Sequence, residues 1–276
     1  MKALDKKVRA LAHFIEDKGK NGAVIAFSGG VDSATLASIS KNILREKIVA
    51  VTAESPIYTP EELEEAKKTA EEIGIKLIIV KTNELTDENF TKNPENRCYY
   101  CKKALLDRLQ EVADELGFRA IFEGTNFSDL SEHRPGFLAV QETENVYSPW
   151  VEGRFTKDEI RALAKEQGLS VQNKPSLACL ASRIPFYERV TAKKLNRIGK
   201  AEHIVKKIAG VRQLRVRDHN GLARIEVGKG ERMLLHNVEL LDKVAAELKK
   251  LGFNYVTIDM EGYRTGSMLR GIDNKK

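Results

Sequence analysis

The 276-residue chain has no apolar run approaching the length needed to cross a bilayer. Its opening stretch, MKALDKKVRALAHFIEDKGK, is an amphipathic helical pattern broken by charges, unlike the apolar core of a signal peptide. A soluble, cytoplasmic protein with no membrane partner is expected. Cysteine is scarce: there are three, Cys98, Cys101 and Cys179. An odd number in such a chain argues against a disulfide framework and turns attention to metal or sulfur chemistry. No internal repeat and no low-complexity segment is visible, so neither a repeat architecture nor a disordered tract is expected. Neither sign of charge dominates, since 46 basic residues are spread among 40 acidic ones for a net charge of +6. That balance permits RNA binding but equally suits a pocket for several phosphates. With 42% hydrophobic residues the chain can bury a substantial core, divided between one large and one small domain.

A Walker A loop is also missing: GxxxxGK[ST] does not occur and no lysine sits at the first helix start after a strand. In its place residues 22–44 read GAVIAFSGGVDSATLASISKNIL. An apolar run, 23–27, enters the polar turn 28–33, and a helical pattern follows from Ala34. Two adjacent glycines, Gly29 and Gly30, let the backbone turn tightly and bring N–H groups close to a ligand. The helix start adds unpaired donors and a dipole favourable to anions. With the hydroxyls of Ser28 and Ser33, the loop is suited to a phosphate or pyrophosphate.

Further strands are expected at 47–53, 75–81, 119–123 and 146–150, alternating with helices at 60–73, 101–116 and 156–167. This α/β pattern implies a parallel sheet with helices on both faces and a ligand at the strands' C-terminal ends. Ser28, Glu54 and Gly124 all lie at such ends. Glu54-Ser55 and Gly124-Thr125-Asn126 are therefore candidates for adenine and ribose contacts, although any of them can equally cap a helix. Residues 1–172 are expected to form this domain. The stretch 173–190, rich in small residues and carrying Cys179, reads as a joint between domains. Beyond it, 191–276 is expected to form a small α+β domain: a helix at 192–209, a hairpin at 213–227 turning at Asn220-Gly221, a helix from about 231 to 251, and a strand at 255–260. The hairpin's alternation puts Arg215, Arg217 and Arg224 on the side opposite the core. Such a face is either simply solvated or a fork for phosphate or carboxylate groups.

Cys98-Tyr99-Tyr100-Cys101 is a CxxC at a helix entrance, open to several readings. Zinc needs a fourth ligand from His133 or a carboxylate. A redox dithiol leaves Cys179 idle. Three thiolates on a [4Fe-4S] cluster leave one iron open to sulfide.

The form SGGxDS resembles the signature of the PP-loop ATP pyrophosphatases, which break the bond between the α- and β-phosphates of ATP. Taken with CYYCKKAL, GTNFSDL, NKPSLACLASR and GYRTGS, nearly the whole chain is similar to the LarE family of ATP-dependent sulfur transferases, which make the nickel-pincer nucleotide cofactor. The resemblance implies that a carboxylate of pyridinium-3,5-biscarboxylic acid mononucleotide attacks the α-phosphate of ATP, giving an acyl-adenylate and pyrophosphate. Sulfur then displaces AMP. In one branch a single cysteine, matching Cys179, gives up its own sulfur. The presence of Cys98 and Cys101 matches the other branch, in which three cysteines hold a [4Fe-4S] cluster that carries sulfide.

On this resemblance Ser28, Gly29, Gly30, Asp32 and Ser33 bind ATP, with Asp32 nearest Mg²⁺ and Glu54, Gly124 and Thr125 contributing to the nucleotide site. Lys102 and Arg183 hold phosphate or carboxylate groups. Arg215, Arg217 and Glu202 line the substrate site, unless each is merely a surface charge. The implied partners are the pyridinium nucleotide, a sulfide source and further copies of the chain. Rival readings are a tRNA thiolase of the same superfamily and a non-catalytic regulator holding ATP and zinc. Against the first, the chain has no zinc ribbon at either end and no aromatic-interleaved basic stretch.

Overall fold

The computed structural model describes residues 2–131, 134–175, 178–264 and 266–268. Along the chain run α1 (Lys2–Gly19), β1 (Ala23–Ala26), α2 (Val31–Leu44), β2 (Ile48–Glu54), α3 (Pro60–Ile73), β3 (Leu77–Lys81) and α4 (Glu88–Thr91). Then come α5 (Arg97–Leu116), β4 (Ala120–Phe122), α6 (Pro135–Glu142), β5 (Val146–Tyr147), α7 (Pro149–Glu152) and α8 (Lys157–Glu166). The remainder holds α9 (Ala192–Ala209), β6 (Leu214–His219), β7 (Leu222–Val227), α10 (Val238–Lys250) and β8 (Tyr255–Ile258). Contacts divide the chain into two units, the first Met1–Asn83 with Asn96–Leu177 and the second Glu84–Glu95 with Ala178–Lys276.

In the first unit five parallel strands lie in the order β3-β2-β1-β4-β5. Period-two alternation sends neighbouring side chains of each strand into two different cores. Ala23 and Ile25, Ile48 and Ala50, and Ala120 and Phe122 face one core with Leu11, Ile15, Leu36, Trp150 and Ile160. Val24, Val49, Val51 and Ile121 face the other, with Leu106, Leu109 and Val112 of α5 and Ala139 and Val140 of α6. The chain goes outward from β1 through β2 to β3, then returns to place β4 on the other side of β1. The crevice at the ends of β1 and β4 is therefore the switch point where such sheets bind ligands.

Local signals account for most element ends. Thr59 and Glu62 form a reciprocal capping box ahead of Pro60, and Gly74 closes α3 with φ 68°. Thr156 and Glu159 do the same for α8. Three elements depart from expectation. Helix α5 starts at Arg97, whose side chain is buried, so both Cys98 and Cys101 are helical. The strand expected over 146–150 stops at Tyr147, because Pro149 has no N–H for a ladder and instead opens α7. The helix expected from about 231 to 251 is a 3₁₀ segment, Lys229–Leu235, followed by α10. Asn237 separates them, its Oδ1 accepting from Leu240 N–H at 2.9 Å as a cap.

In the second unit β6 and β7 form an antiparallel hairpin through Asn220 and Gly221, both at positive φ, and β8 adds in parallel beside β7. Leu214, Val216, Ala223, Ile225 and Val227 pack on Ala201 and Val205 of α9 and Val244 and Leu248 of α10. Sequence patterning leaves residues 84–95 with the first domain, yet this segment belongs to the second unit. Asn93, held at φ 58°, donates from Nδ2 to the carbonyls of Pro185 (2.7 Å) and Glu188 (3.0 Å), tying it to the 185–190 stretch. Among the described residues no helix is long and apolar enough to cross a membrane.

Candidate active site

The turn between β1 and α2 is tied to itself by the two serines. Ser28 N–H donates to Ser33 Oγ at 3.2 Å, the two hydroxyls lie 3.2 Å apart, and Ser33 Oγ donates to Gly30 O at 3.2 Å. Gly29 takes φ +65°, and a Cβ there would stand 2.7 Å from the Cα of Ala66 in α3. Only glycine can turn the chain this close to the neighbouring helix. Its carbonyl accepts from Lys174 Nζ at 3.1 Å, and Lys174 also pairs with Glu65 at 2.8 Å. Ser28 is exposed and Gly30 half-buried. The first-turn N–H groups of α2 have no i−4 carbonyl to bond and point out of the helix start, where an anion is favoured.

The loop after β4 closes over this helix start. A Cβ on Gly124 would lie 3.3 Å from Ser33 N and 3.5 Å from Asp32 Cβ, so the two backbones approach closely enough that a side chain there would crowd the helix start. Asp32 Oδ1 accepts from Asn126 Nδ2 at 3.3 Å, Asp32 Oδ2 pairs with Lys157, and its backbone carbonyl accepts from Trp150 Nε1 at 3.1 Å. Asn126 is itself buried and bonded at 2.9 Å to Asp129, which pairs with Arg134. Burial pushes the Asp129 carboxyl upward against the charge of Arg134 and the Asn126 N–H, and the nearby Asp32 adds to the rise. Thr125 is half-buried, and Glu54 is exposed at the end of β2. Ser28, Gly29, Gly30, Asp32, Ser33, Gly124 and Thr125 are thus gathered at the switch point.

Behind that loop lies Glu123, only 1% exposed. Its Oε1 accepts from Thr125 N–H (3.1 Å) and from the Ser148 hydroxyl, and its Oε2 accepts from Thr125 Oγ1 (2.7 Å) and Lys102 Nζ (3.0 Å). Burial alone would raise this carboxyl, but the Lys102 charge and the hydrogen bonds from Ser148, Thr125 and Lys102 outweigh it and hold the group below the usual carboxylate range. Lys102, expected to bind substrate, is thus paired to a buried acid. Cys98 and Cys101 sit one turn apart on the same side of α5, Cys98 exposed and Cys101 half-buried.

Cys179 belongs to the second unit, half-buried just before the 3₁₀ turn Leu180–Arg183. Arg183 organises that turn. Its Nη1 donates to the carbonyls of Ala178 and Cys179 (2.8 Å for the latter), while Nε and Nη2 form a two-pronged pair with Glu202 at 2.9 and 3.1 Å. Glu202 Oε1 also accepts from Val216 N–H at 3.0 Å. The alternative that Glu202 is a surface charge is overturned: it is 7% exposed and linked to both α9 and β6. The solvated reading of the hairpin face fails likewise. Arg217 is 5% exposed, bonded to Glu226 (3.0 and 2.7 Å), Ser182 O (2.9 Å) and Ser267 Oγ (3.0 Å). Arg215, 6% exposed, lies over the Tyr263 ring at 5.1 Å. Burial and then the nearby Arg183 lower its pKa, against the pull of Glu202. Opposite the apolar core, the hairpin therefore carries a second, charged layer.

Among the described residues no group of three or more His, Cys, Asp or Glu side chains is gathered around one metal position. His133, the imidazole considered for zinc, lies outside the described residues. Cys98 and Cys101 present two thiols on one helical turn, and Cys179 lies in an irregular segment of the second unit. Asp32 is about a quarter exposed, with Oδ1 bonded to Asn126 and Oδ2 paired to Lys157. Sequence reading missed Glu123, Lys157, Lys174 and Trp150 as members of the site. Two signals were present: an acid closing the apolar run RAIFE, and a lysine directly after the Thr156 cap.

A family model described as NAD synthase matches residues 3–109. The uncharacterized protein slr1717 of Synechocystis sp. is 40% identical over 267 residues, spanning 97% of this chain and 98% of its own. The pyridinium-3,5-bisthiocarboxylic acid mononucleotide synthase of Lactiplantibacillus plantarum is 34% identical over 247 residues, spanning 88% of this chain and 87% of its own. The uncharacterized protein MJ0830 of Methanocaldococcus jannaschii is 29% identical over 262 residues, spanning 94% and 98%. With the SGGVDS loop at the switch point of a five-stranded parallel sheet, and this likeness along almost the whole chain, the protein belongs to the LarE family of PP-loop sulfur transferases.

Proposed function

We propose that the protein is the ATP-dependent enzyme that converts the carboxylates of pyridinium-3,5-biscarboxylic acid mononucleotide into thiocarboxylates. The observation that carries this reading is the near-full-length likeness to the L. plantarum synthase, whose name states the bisthiocarboxylic product. Carboxylate oxygen is a poor leaving group, so activation comes first. A substrate carboxylate oxygen attacks the α-phosphorus of ATP, the bond to the β-phosphate breaks, and pyrophosphate leaves. The N–H groups of the 28–33 turn and the hydroxyls of Ser28 and Ser33 are suited to the charge that develops on it. Gly124 and Thr125 border the nucleotide, and Asp32 would hold Mg²⁺, which supplies further charge stabilisation. Sulfide then displaces AMP from the acyl-adenylate, and the second carboxylate is treated likewise.

For the sulfur, Cys98, Cys101 and Cys179 would hold a [4Fe-4S] cluster, which supplies an iron open to sulfide. In the second unit, Arg183, Arg215 and Arg217 outnumber their buried partners Glu202 and Glu226, an excess of positive charge that supports recognition of a phosphorylated dicarboxylate. The enzyme takes a small-molecule nucleotide and a sulfide source as partners, with no nucleic acid, in a cytoplasmic homo-oligomer. The test incubates protein with ATP, Mg²⁺, sulfide and the biscarboxylate nucleotide. Pyrophosphate release that depends on the pyridinium nucleotide, with oxygen replaced by sulfur in its mass spectrum, is expected. Release that requires RNA instead would make the chain a tRNA thiolase, and ATP binding with no release would make it a regulator.

A further inference from the structure

Glu123 joins three pieces of the first unit that a sequence reading treats separately. Its two oxygens receive the loop of the nucleotide site through Thr125, the end of β5 through Ser148, and the second turn of α5 through Lys102, which directly follows Cys101. One oxygen is shared: Oε2 accepts from Thr125 Oγ1 at 2.7 Å and from Lys102 Nζ at 3.0 Å. Helix α6 packs on the same stretch of α5: a Cβ on Gly136 would stand 3.3 Å from Cys98 O and 3.6 Å from Lys102 Cβ. The cysteine stretch therefore has α6 packed on its backbone and, at Lys102, a lysine whose anion is shared with the nucleotide loop.

We propose that Glu123 is a positioning residue that couples nucleotide occupancy at the Gly124-Thr125 loop to the setting of Cys98 and Cys101. The inference rests on the reading of that loop as part of the ATP site. A nucleotide that takes the Thr125 hydroxyl as a donor withdraws it from Oε2. The carboxylate oxygen is then left to Lys102, and the pair tightens. Because the carboxylate itself is buried and bonded at both oxygens, the change passes through the Lys102 pair to the α5 turn. ATP binding thereby orders the two thiols before sulfur chemistry starts, and an empty site leaves them looser.

The test uses the full chain without metal, in a Cys179→Ala background so that alkylation reports Cys98 and Cys101 alone. Iodoacetamide alkylation is followed by mass spectrometry with and without a non-hydrolysable ATP analogue and Mg²⁺, and binding of the analogue is measured separately by calorimetry. Saturating analogue is expected to slow alkylation at both cysteines roughly fivefold, the scale of one hydrogen bond redistributed in a buried network. In Lys102→Met, which severs only the α5 branch, the analogue should still bind while the slowing disappears. Glu123→Gln should behave the same way wherever its melting temperature shows it folded. A merely structural Glu123 would change the alkylation rate equally with and without nucleotide. Binding with no change in alkylation overturns the coupling alone. No binding in the parent chain overturns the nucleotide reading, and the coupling with it.

Discussion

Lys157 of α8 is ion-paired with Asp32 Oδ2, while Asn126 Nδ2 reaches Asp32 Oδ1 at 3.3 Å from the loop after β4. The acidic residue of the SGGVDS loop is thus held between a cation and an amide from two other elements. Removing its charge while keeping its shape separates its chemical role from its structural one. Asp32→Asn is expected to lower substrate-dependent pyrophosphate release by about 100-fold or more, the scale of losing one preorganised electrostatic contact in a reacting site. The melting temperature should move by only a few degrees, since the carboxylate is about a quarter exposed. Release at the parent rate would remove Asp32 from the Mg²⁺ position.

Gly29 offers a test of the loop's backbone. Alanine there meets two penalties at once, the left-handed φ of +65° and a Cβ 2.7 Å from the Cα of Ala66. The expected loss is about 1–3 kcal/mol in denaturant unfolding, with ATP affinity reduced as well, since the loop must shift away from α3. The obstacle is backbone, so Ala66→Gly should not restore stability to Gly29→Ala. Full restoration would mean that the steric account of this turn is wrong.

Glu202 gives a pH signature. Burial alone pushes its carboxyl up, but the charge and hydrogen bond of Arg183, then Arg215 and the Val216 N–H, hold it below the usual range. A depressed folded-state pKa means that its contribution to stability is fully present above the unfolded value, about 4.3, and is lost as pH falls through the folded pKa. Glu202→Gln leaves Arg183 buried without its anion and is expected to cost about 3–5 kcal/mol at pH 7. Below about pH 4.3 the gap between parent and variant should narrow as the parent carboxylate protonates. A gap that stays constant from neutral to acid pH would show that the pair makes no net electrostatic contribution.

Local chemistry made much of the fold legible. Apolar strands alternating with capped helices specified the parallel sheet, and Asn220-Gly221 specified the hairpin, because those signals act over a few residues. The site was legible where it is contiguous, in the turn from Ser28 to Ser33. It was not legible where it is assembled at long range. Nothing near Lys157 in the chain announces that it meets Asp32, 125 positions away, and nothing near Glu123 announces the Lys102 pair. The sequence left the charged face of the hairpin open between a solvated face and a fork for phosphate or carboxylate groups for a related reason. Period two separates the faces of a strand but does not say what covers the second one, here the Arg183 turn, Tyr263 and Ser267.

The cysteines carry the most consequential prediction. Cys98 and Cys101, one turn apart on α5, offer two thiolates, too few to hold a cubane with a single open iron; on the proposed reading the third is Cys179. Loss of metal in a Cys98→Ala variant alone would fit any CxxC site, so Cys179→Ala is the discriminating change. Protein purified without oxygen is expected to contain about four irons with matching acid-labile sulfide per chain, and both variants should lose them. Visible and electron paramagnetic resonance spectra should change together with the iron. If Cys179→Ala keeps its full iron while Cys98→Ala does not, the cluster is not a three-thiolate one. If the native chain holds zinc or no metal and still releases pyrophosphate, the cluster reading falls, and Cys179 becomes the sulfur donor, consumed once per sulfur delivered.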